Sequence, residues 1–207
     1  VYKRQPTCFA NLRREDHDLD VPRRLECCGR PSSWVHVALL DDDGSEFEKG
    51  SAGEICVRGP LLMQGYLNKP EQTREALEGG WLHTGDIGRF DEDGFLHIVG
   101  RTKDVIITGG FNVFPREVED VLFAHADVQQ AVVFGLPDER WGEAVNAVIT
   151  LRPGVRHSDE LLCSLIDSVK AAKGSVQAPK AIHFSDSIPL TPVGKPDKKQ
   201  LISKYQT

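Results

Sequence analysis

The sequence lacks long apolar stretches and any excess of positive charge. Its longest uninterrupted apolar runs, such as residues 37–40 and 105–107, are far too short to span a bilayer. The formal net charge of the 207 residues is −6 and the densest basic cluster is small, whereas a dedicated nucleic-acid binder carries a basic stripe. A hydrophobic share of 40% with this low net charge argues against disorder. The composition therefore predicts a globular protein with neither a transmembrane segment nor a nucleic-acid partner.

Paired cysteines are also missing. The five cysteines are an odd number without a CxxC pair, namely Cys8, Cys27, Cys28, Cys56 and Cys163. A disulfide scaffold requires an even and dense set, and a zinc site requires paired ligands at short spacing. The seven histidines are scattered singly, which is more typical of surface or core positions than of metal ligands. We therefore expect reduced thiols in a cytoplasmic protein and no metal site, with a redox-active Cys27–Cys28 pair as the alternative.

Several short catalytic and binding motifs are absent. The Walker phosphate loop does not occur, because Gly194 and Lys195 are followed by Pro196 and have no upstream glycine at the required spacing. GxGxxG, GxSxG and HExxH are absent as well. The first residue is valine, and no charged and then apolar leader follows it. We expect no secretory signal, and we expect the chain to be a piece of a longer protein.

The first hundred residues alternate short apolar segments with turns. Residues 11–31 are polar and turn-rich and predict a surface connection, whereas residues 1–10 show no periodicity and are expected to lie outside the folded unit. A short helix is expected over residues 70–77, opened by Asn68. Extended segments are expected at residues 34–40, 53–58, 63–67, 87–90 and 95–99. This spacing predicts a small, mostly antiparallel β subdomain.

The pattern changes after Arg101, where two amphipathic helices join the strands. Pro115 opens the first helix and Ser158 caps the second. Strands are expected at residues 105–108, 112–114, 128–135, 144–151 and 181–184. The order βαββαβ predicts a two-layer α+β domain of about 100 residues. The fold class is therefore α+β, with the boundary between the two parts near residues 101–104.

Five motifs carry the remaining chemistry, and they follow one another in a fixed order. They are GEICVRG with MQGY at 53–59 and 63–66, GWLHTGD at 80–86, VGRTKD at 99–104, TGGFNVFPREVE at 108–119 and PLTPVGK at 189–195. In this order they resemble the adenylate-forming superfamily, in particular the acyl-CoA synthetases, over about residues 11–205. One such motif is weak evidence, but five in family order are specific.

The resemblance implies the C-terminal part of an AMP-dependent acid–thiol ligase. Such an enzyme converts a carboxylic acid and ATP into an acyl-AMP and pyrophosphate, and CoA then displaces AMP to give a thioester. ATP, Mg²⁺ and CoA are the implied cofactors, and most of the Mg²⁺ site would lie upstream of this chain. Residues 1–100 would be the end of the N-terminal domain, and residues 101–207 would be the mobile C-terminal domain.

The resemblance assigns nucleotide contacts to Asp86 and Arg101 and the hinge to Lys103. A carboxylate can accept hydrogen bonds from both hydroxyls of a ribose, and an arginine offers a planar fork of donors to ribose or phosphate oxygens. Taken alone, the motif of Asp86 favours a turn residue, and the alternative for Arg101 is a partner in a surface ion pair near a domain boundary. A hinge needs backbone that can change conformation rather than a particular side chain, so Lys103 fits both a hinge and an ordinary exposed position.

Four residues resemble the CoA-binding residues of the family. Gly109 and Gly110 allow positive φ angles and close approach of a ligand, and in the family this loop lines the passage for the pantetheine arm. Trp141 and Lys180 match residues that contact the CoA nucleotide in some relatives. An indole offers a stacking face and an ammonium offers a point charge for phosphate. A hairpin turn, a core tryptophan and a solvated lysine are the alternatives.

Lys195 is the candidate catalytic residue. It lies in a glycine-containing loop between Pro192 and Pro196, which restrict the backbone around it. Adenylyl transfer develops charge on the α-phosphate oxygens and on the attacking carboxylate, and a fixed ammonium stabilises that charge and orients the reactants. The family assigns this lysine to the adenylation step. The alternative is one more surface lysine in a basic tail.

Other parts of the family pattern are missing from this chain. They are the Ser/Thr/Gly-rich phosphate loop, the adenine side of the site, the acidic residue that helps to position magnesium, and the acyl pocket. The chain alone is therefore expected to have no ligase activity, and its carboxylic acid is not defined, although residues 111–115 are closer to fatty-acyl ligases than to peptide-synthetase domains. The alternatives are an adenylation domain that loads a carrier protein, a non-catalytic module that binds a nucleotide or CoA, and a luciferase-like oxygenase.

Overall fold

The computed structural model describes residues 9–41, 43–47 and 50–206, and the chain divides into two compact units between Lys103 and Asp104. Of the opening segment, residues 1–8 lie outside the described residues, whereas Phe9 and Ala10 pack against the core of the first unit. Cys8 therefore lies outside as well, and the other four cysteines are free thiols. Within the described ranges, every helix is too short or too polar to cross a bilayer.

The first unit is built on antiparallel pairing. Two short strands, β1 (Ala10–Asn11) and β2 (Arg30–Pro31), form a ribbon. The main sheet has four strands in chain order, and one helix precedes its third strand: β3 (His36–Leu40), β4 (Ala52–Arg58), α1 (Pro70–Ala76), β5 (Leu82–Phe90) and β6 (Leu96–Arg101). Single 3₁₀ turns lie at Arg14–Asp16, Pro22–Arg24, Glu78–Gly80 and Thr102–Asp104. The predicted antiparallel β subdomain is confirmed.

The core of the first unit follows the alternation of the strands. Side chains of alternate residues lie on one face of a sheet, so every second residue is buried on that face. The buried cluster consists of Val37, Leu39, Ile55, Val57, Leu82 and Leu96. The opposite face buries a smaller cluster of Ala38, Leu40, Cys56 and Trp81.

Some local predictions for the first unit are wrong. Residues 63–67 form no strand, and α1 has Lys69 rather than Asn68 at its N-cap. Asn68 has a φ of +56°, a left-handed conformation that a capping residue does not adopt. Asp86 lies inside β5 and not in a turn, because β5 continues past Gly85, whose φ of +75° is accommodated within the strand.

The second unit is a mixed sheet with helices. Its strands are β7 (Ile106–Thr108), β8 (Phe111–Val113), β9 (Val128–Asp138), β10 (Gly142–Leu151) and β11 (Ala181–Phe184). Its helices are α2 (Pro115–Phe123), α3 (Asp159–Lys173) and α4 (Lys198–Tyr205). The pair β10–β11 is parallel, and the other pairs are antiparallel. The predicted α+β class is confirmed, whereas α4 was not predicted from the sequence.

The sheet of the second unit is packed on both faces. The hydroxyl of Ser158 accepts a hydrogen bond from the N–H of Leu161, as a capping residue should. The helices α2 and α3 bury one apolar stripe each against one face of the sheet, through Val118, Leu122, Leu161, Leu165 and Val169. On the other face, Leu201 of α4 joins a separate cluster with Val132, Phe134, Val148 and Ile188.

Side chains from two helices close the outer edge of β9 at Val133. Among the described strands, β9 pairs only with β10. Glu119 of α2 accepts a hydrogen bond from the N–H of Val133 at 2.9 Å, and Lys198 of α4 donates to its carbonyl at 2.8 Å. The Nζ of Lys198 also lies 3.1 Å from Oε1 of Glu119. Both outward-facing polar groups of this buried residue are therefore satisfied by side chains.

The contact between β11 and α4 includes a partly buried histidine ring. The ring of His183 stacks on Tyr205 with centroids 4.1 Å apart, and its Nε2 is buried without a hydrogen-bond partner among the described residues. Burial lowers the pKa of His183, and the charge of Lys204 lowers it further. The unfolded chain therefore binds more protons than the folded one just below about pH 6.5, and the free energy of unfolding falls as the pH drops there.

We expect the melting temperature of the second unit to decrease between about pH 7.5 and about pH 5.5, and His183→Phe to reduce this decrease. Thermal unfolding at both values measures the effect. His17→Gln, which changes an exposed histidine of the first unit, is the control and should leave the decrease unchanged. An equal decrease in wild type and His183→Phe contradicts the role of His183.

Candidate functional site

The segment 84–86 is held in place by the neighbouring strand β4. The hydroxyl of Thr84 donates to the carbonyl of Ile55 at 2.7 Å and accepts from the N–H of Asp86 at 3.1 Å. Oε1 of Glu54 accepts a hydrogen bond from the N–H of Gly85 at 2.8 Å. The backbone that presents the Asp86 carboxylate is therefore fixed on both sides by specific hydrogen bonds.

Asp86 and Arg101 face each other across the strand pair β5–β6. They are direct register partners, and Nε of Arg101 lies 3.1 Å from Oδ1 of Asp86. The two side chains are 30% and 54% exposed, respectively. A surface pair of this kind adds little to stability. What the pair provides is a carboxylate and a guanidinium side by side, both open to a ligand.

Lys103 lies at the boundary between the two units. It is the last residue of the first unit and sits in the 3₁₀ turn Thr102–Asp104, with its side chain exposed. The prediction of a hinge at this position stays a prediction.

Gly109 and Gly110 form the two-residue turn between β7 and β8. Their φ angles are +58° and +82°, as a type I′ turn requires. The N–H of Gly109 donates to the carbonyl of Trp141 at 2.8 Å. A Cβ added at Gly109 would lie 2.9 Å from Cε3 of Trp141, whereas one added at Gly110 would have no atom of the described residues within 4 Å. The turn is therefore in direct contact with the indole at Gly109 and open at Gly110.

Trp141 presents an indole face beside two cations. The ring centroid is 4.7 Å from Cζ of Arg140 and 5.8 Å from Nζ of Lys180, and the residue is 39% exposed. Oδ1 of Asp138 accepts the N–H groups of Arg140 and Trp141, both at 2.9 Å, which fixes this turn. An exposed aromatic face next to positive charge suits a nucleotide, which offers a base and phosphates. Arg140 was not among the residues predicted from the sequence to bind CoA. Its position next to Trp141, between two β-prone segments, was a signal that could have identified it.

Lys195 is presented by a tight hairpin that precedes α4. Leu190 and Pro196 form an antiparallel bridge, and the N–H of Thr191 donates to the carbonyl of Lys195 at 2.7 Å. The hydroxyl of Thr191 accepts the N–H of Lys195 at 3.2 Å. The side chain of Lys195 is exposed. An exposed ammonium group thus extends from a backbone that hydrogen bonds hold in place.

The structure brings some predicted residues together and leaves others apart. Asp86 and Arg101 form one group in the first unit. A second group in the second unit consists of Gly109, Trp141 and Lys180, with Gly110 next in the turn. Lys195 lies on another hairpin of the second unit, outside the contacts of that group.

Two family models match the chain. The AMP-binding enzyme C-terminal domain matches residues 117–195, and the AMP-binding enzyme matches residues 6–67. The chain belongs to the AMP-binding enzyme family. The segment that matches the C-terminal domain of AMP-binding enzymes includes Trp141, Lys180 and Lys195.

Several AMP-binding enzymes are similar to the chain. A medium/long-chain-fatty-acid–CoA ligase of Mycobacterium tuberculosis is 50% identical over 97% of the chain and 35% of its own length. An oxalate–CoA ligase of Arabidopsis thaliana is 40% identical over 84% of the chain and 33% of its own length. Among solved structures, an amide bond synthetase of Marinactinospora thermotolerans is 43% identical, with a TM-score of 0.81 over 90% of this chain and 38% of that one. The chain spans about a third of the length of these relatives.

Proposed function

We propose that the chain is part of a longer acyl-CoA ligase that activates a carboxylic acid with ATP and transfers the acyl group to CoA. The observation that carries this proposal is that the second unit presents two different chemical groups on two hairpins. One is the exposed ammonium of Lys195, and the other is the glycine turn against Trp141. A reaction in two steps would use the ammonium of Lys195 in one step and the glycine turn with Trp141 in the other.

The adenylation step would use Asp86, Arg101 and Lys195. The ion pair occupies Oδ1 of Asp86, while Oδ2 receives no hydrogen bond from the part of the chain that the structure describes. This oxygen is available to a ribose hydroxyl, and the partly exposed guanidinium can donate to ribose or phosphate oxygens. Lys195 would stabilise the charge that develops on the α-phosphate and the attacking carboxylate. ATP and Mg²⁺ are the cofactors of this step.

The thioester step would use the group around Trp141. The indole face would stack on the adenine of CoA, and Lys180, together with Arg140, would attract its phosphates. The turn at Gly109 and Gly110 would guide the pantetheine arm, since an open backbone without Cβ atoms allows close approach. A rotation of the second unit at Lys103 would remove Lys195 from the reacting groups after the first step and bring in the group around Trp141 for the second step.

The carboxylic acid and the acceptor are the open parts of the proposal. Relatives named for long-chain fatty acids and for oxalate are 50% and 40% identical to the chain, so the region they share with it does not define the acyl group. One similar structure is that of an amide bond synthetase, and a carrier protein is the alternative acceptor. The choice of CoA as the acceptor therefore needs its own test. A cytoplasmic location belongs to this proposal too, because free cysteines are typical of a reducing compartment.

The first test is the coding DNA upstream of the Val1 codon. An in-frame extension that encodes a Ser/Thr/Gly-rich loop with a lysine supports the proposal and defines the complete ligase. A start codon close to Val1 overturns it in favour of a non-catalytic binding module. The complete ligase should release pyrophosphate with ATP and a carboxylic acid and should then consume CoA, while the 207-residue chain alone should release none. Acyl transfer to an amine or a carrier protein instead of CoA overturns the choice of acceptor.

Asp86→Ala in the complete ligase should raise the KM for ATP by roughly 10- to 100-fold, because a hydrogen bond to a charged group contributes about 1.5 to 3 kcal/mol. Steady-state adenylation kinetics measure this. The matched control is Asp120→Ala, because Asp120 forms an exposed ion pair with Arg116 on α2 at 2.8 Å and has no proposed ligand. An unchanged KM in Asp86→Ala contradicts ribose binding by this carboxylate.

A further inference from the structure

Three side chains with different ligand atoms converge on one face of the first sheet. Glu54 and Cys56 are alternate residues of β4, and His83 of β5 is the register partner of Cys56. The pairing register shifts between Glu54 and Cys56, so that Ile87 is the partner of Glu54 and His83 is the partner of Cys56. Spacing along the chain does not reveal this cluster, because it depends on which residues the two strands place opposite each other.

The ligand atoms of the cluster lie close to one another. Nδ1 of His83 is 2.8 Å from Oε2 of Glu54 and 3.4 Å from Sγ of Cys56. The three ligand atoms all lie within 4.8 Å of each other. Around a tetrahedral zinc ion, with bonds of about 2.0 Å to nitrogen and oxygen and about 2.3 Å to sulfur, ligand atoms lie about 3.3 to 3.6 Å apart. The sulfur–nitrogen distance already fits, and the nitrogen–oxygen distance must widen by about 0.5 Å.

The geometry is that of a chelate and not of a proton relay. In a relay, the histidine contacts the thiol through one ring nitrogen and the carboxylate through the other. Here both contacts are made to the same atom, Nδ1. One nitrogen cannot donate its proton to Glu54 and accept a proton from Cys56 at once. A cation in place of the proton satisfies all three ligand atoms.

We propose that Glu54, Cys56 and His83 form a binding site for a thiophilic divalent cation of the Zn²⁺ type. A thiolate, an imidazole and a carboxylate are ligands that zinc uses, whereas Mg²⁺ and Ca²⁺ prefer oxygen alone. Oε1 of Glu54 stays on the N–H of Gly85, so Oε2 can bind the ion without releasing the segment that carries Asp86. The ion would tie β4 to β5 directly before that segment.

A fourth ligand has room in an adjoining cavity. An open cavity of about 640 Å³ is lined by Glu54 and His83 on one side and by residues of α1, Gln72 and Glu75 among them, on the other. Water or a small anionic ligand can reach a bound ion from this side. Three protein ligands with an open fourth position are typical of zinc sites that hold a water or a substrate, and not of closed structural ones.

The thiol gives the site a measurable proton signature. Burial raises the pKa of Cys56 to about 12, with the charge of Glu54 as the second cause, so the thiol is protonated at neutral pH. Zinc binds the thiolate, and its binding therefore releases the thiol proton to the solvent. Release of the thiol proton is therefore expected when the ion binds.

Titration of the 207-residue chain with Co²⁺ and then Zn²⁺ tests the site. A thiolate-to-Co²⁺ charge-transfer band should appear and should disappear when Zn²⁺ displaces Co²⁺. Zinc X-ray absorption should show one sulfur ligand, and calorimetry in buffers of different ionisation enthalpy should show that ion binding releases protons. Absence of the band, or a zinc shell without sulfur, overturns the proposal, and neither readout depends on a variant.

Variants assign the ligands. Cys56→Ser and His83→Gln should each weaken Zn²⁺ binding by roughly 100-fold or more, provided that circular dichroism shows an intact fold. The matched control is His97→Gln, because His97 forms a similar pair with Asp91 at 3.2 Å in the same sheet and belongs to no three-ligand cluster of the described residues. Cys163→Ser removes an exposed thiol of the second unit and should change nothing. Binding that survives Cys56→Ser and is lost in Cys163→Ser places the ion elsewhere.

Discussion

Lys195→Ala in the complete ligase should lower the rate of acyl-adenylate formation by roughly 100-fold or more, with little change in thioester formation from added acyl-AMP. The ammonium is needed where charge develops on the α-phosphate and the carboxylate, and this charge exists only in the first step. The hairpin is held by Thr191 and by the bridge between Leu190 and Pro196, so removal of the side chain leaves the backbone intact. Pyrophosphate release measures the first step, and AMP release from acyl-AMP and CoA measures the second.

Lys199→Ala is the matched control, because Lys199 is an exposed lysine four residues further along, within α4. It should leave both steps unchanged, which excludes a general effect of the basic tail. Equal losses in the two steps of Lys195→Ala would falsify the assignment of this lysine to adenylation, and a loss confined to the second step would place it in the CoA-binding orientation.

Gly109→Ala should have the opposite effect, with thioester formation lowered by roughly 10-fold or more and adenylation kept within about 2-fold. Alanine is strained at a φ of +58°, and its Cβ would lie 2.9 Å from Cε3 of Trp141. The indole must move or the turn must open, and either change disturbs the proposed path of CoA. The same two half-reaction assays measure the split.

Gly154→Ala separates this effect from backbone strain. Gly154 lies in the turn after β10 and also has a positive φ, +88°. A Cβ there would have no neighbour within 4 Å in the part of the chain that the structure describes. Gly154→Ala should cost about 1 kcal/mol of stability, because alanine is strained at this φ, and leave both half-reactions unchanged. If Gly109→Ala slows adenylation as much as thioester formation, the turn has no specific role in the CoA step.

The fold followed from the sequence where hydrophobic periodicity and turn chemistry agree. The strand Ala181–Phe184 has the predicted bounds, and Ser158 caps α3 as expected. The helix α4 was not predicted, because it buries only Leu201 completely and its eight residues are mostly polar. The helix is stabilised by packing on Phe134 and other residues of the sheet face that lies away from α2 and α3. The hydrophobic pattern of the helix sequence does not reveal such a tertiary contact.

The sequence motifs predicted individual residues of the candidate sites, but not which of these residues lie next to each other. Asp86 and Arg101 were named separately, and only the register of β5 and β6 makes them partners. Arg140 and the cluster around His83 were missed, because both depend on which residues neighbouring segments bring into contact. Periodicity assigns a residue to a face of a strand, but the residue opposite it is determined by the pairing of the whole sheet.

The side-chain closure of β9 at Val133 has a consequence for the behaviour of the protein at high concentration. A strand with free N–H and carbonyl groups along its outer edge is a template on which a second molecule can add its own strand, and this is a common start of aggregation. Glu119 and Lys198 already occupy both groups of Val133. A second copy would have to displace a charged pair before its backbone could pair at this position. At Val133, the two residues thus oppose the addition of a strand from a second copy.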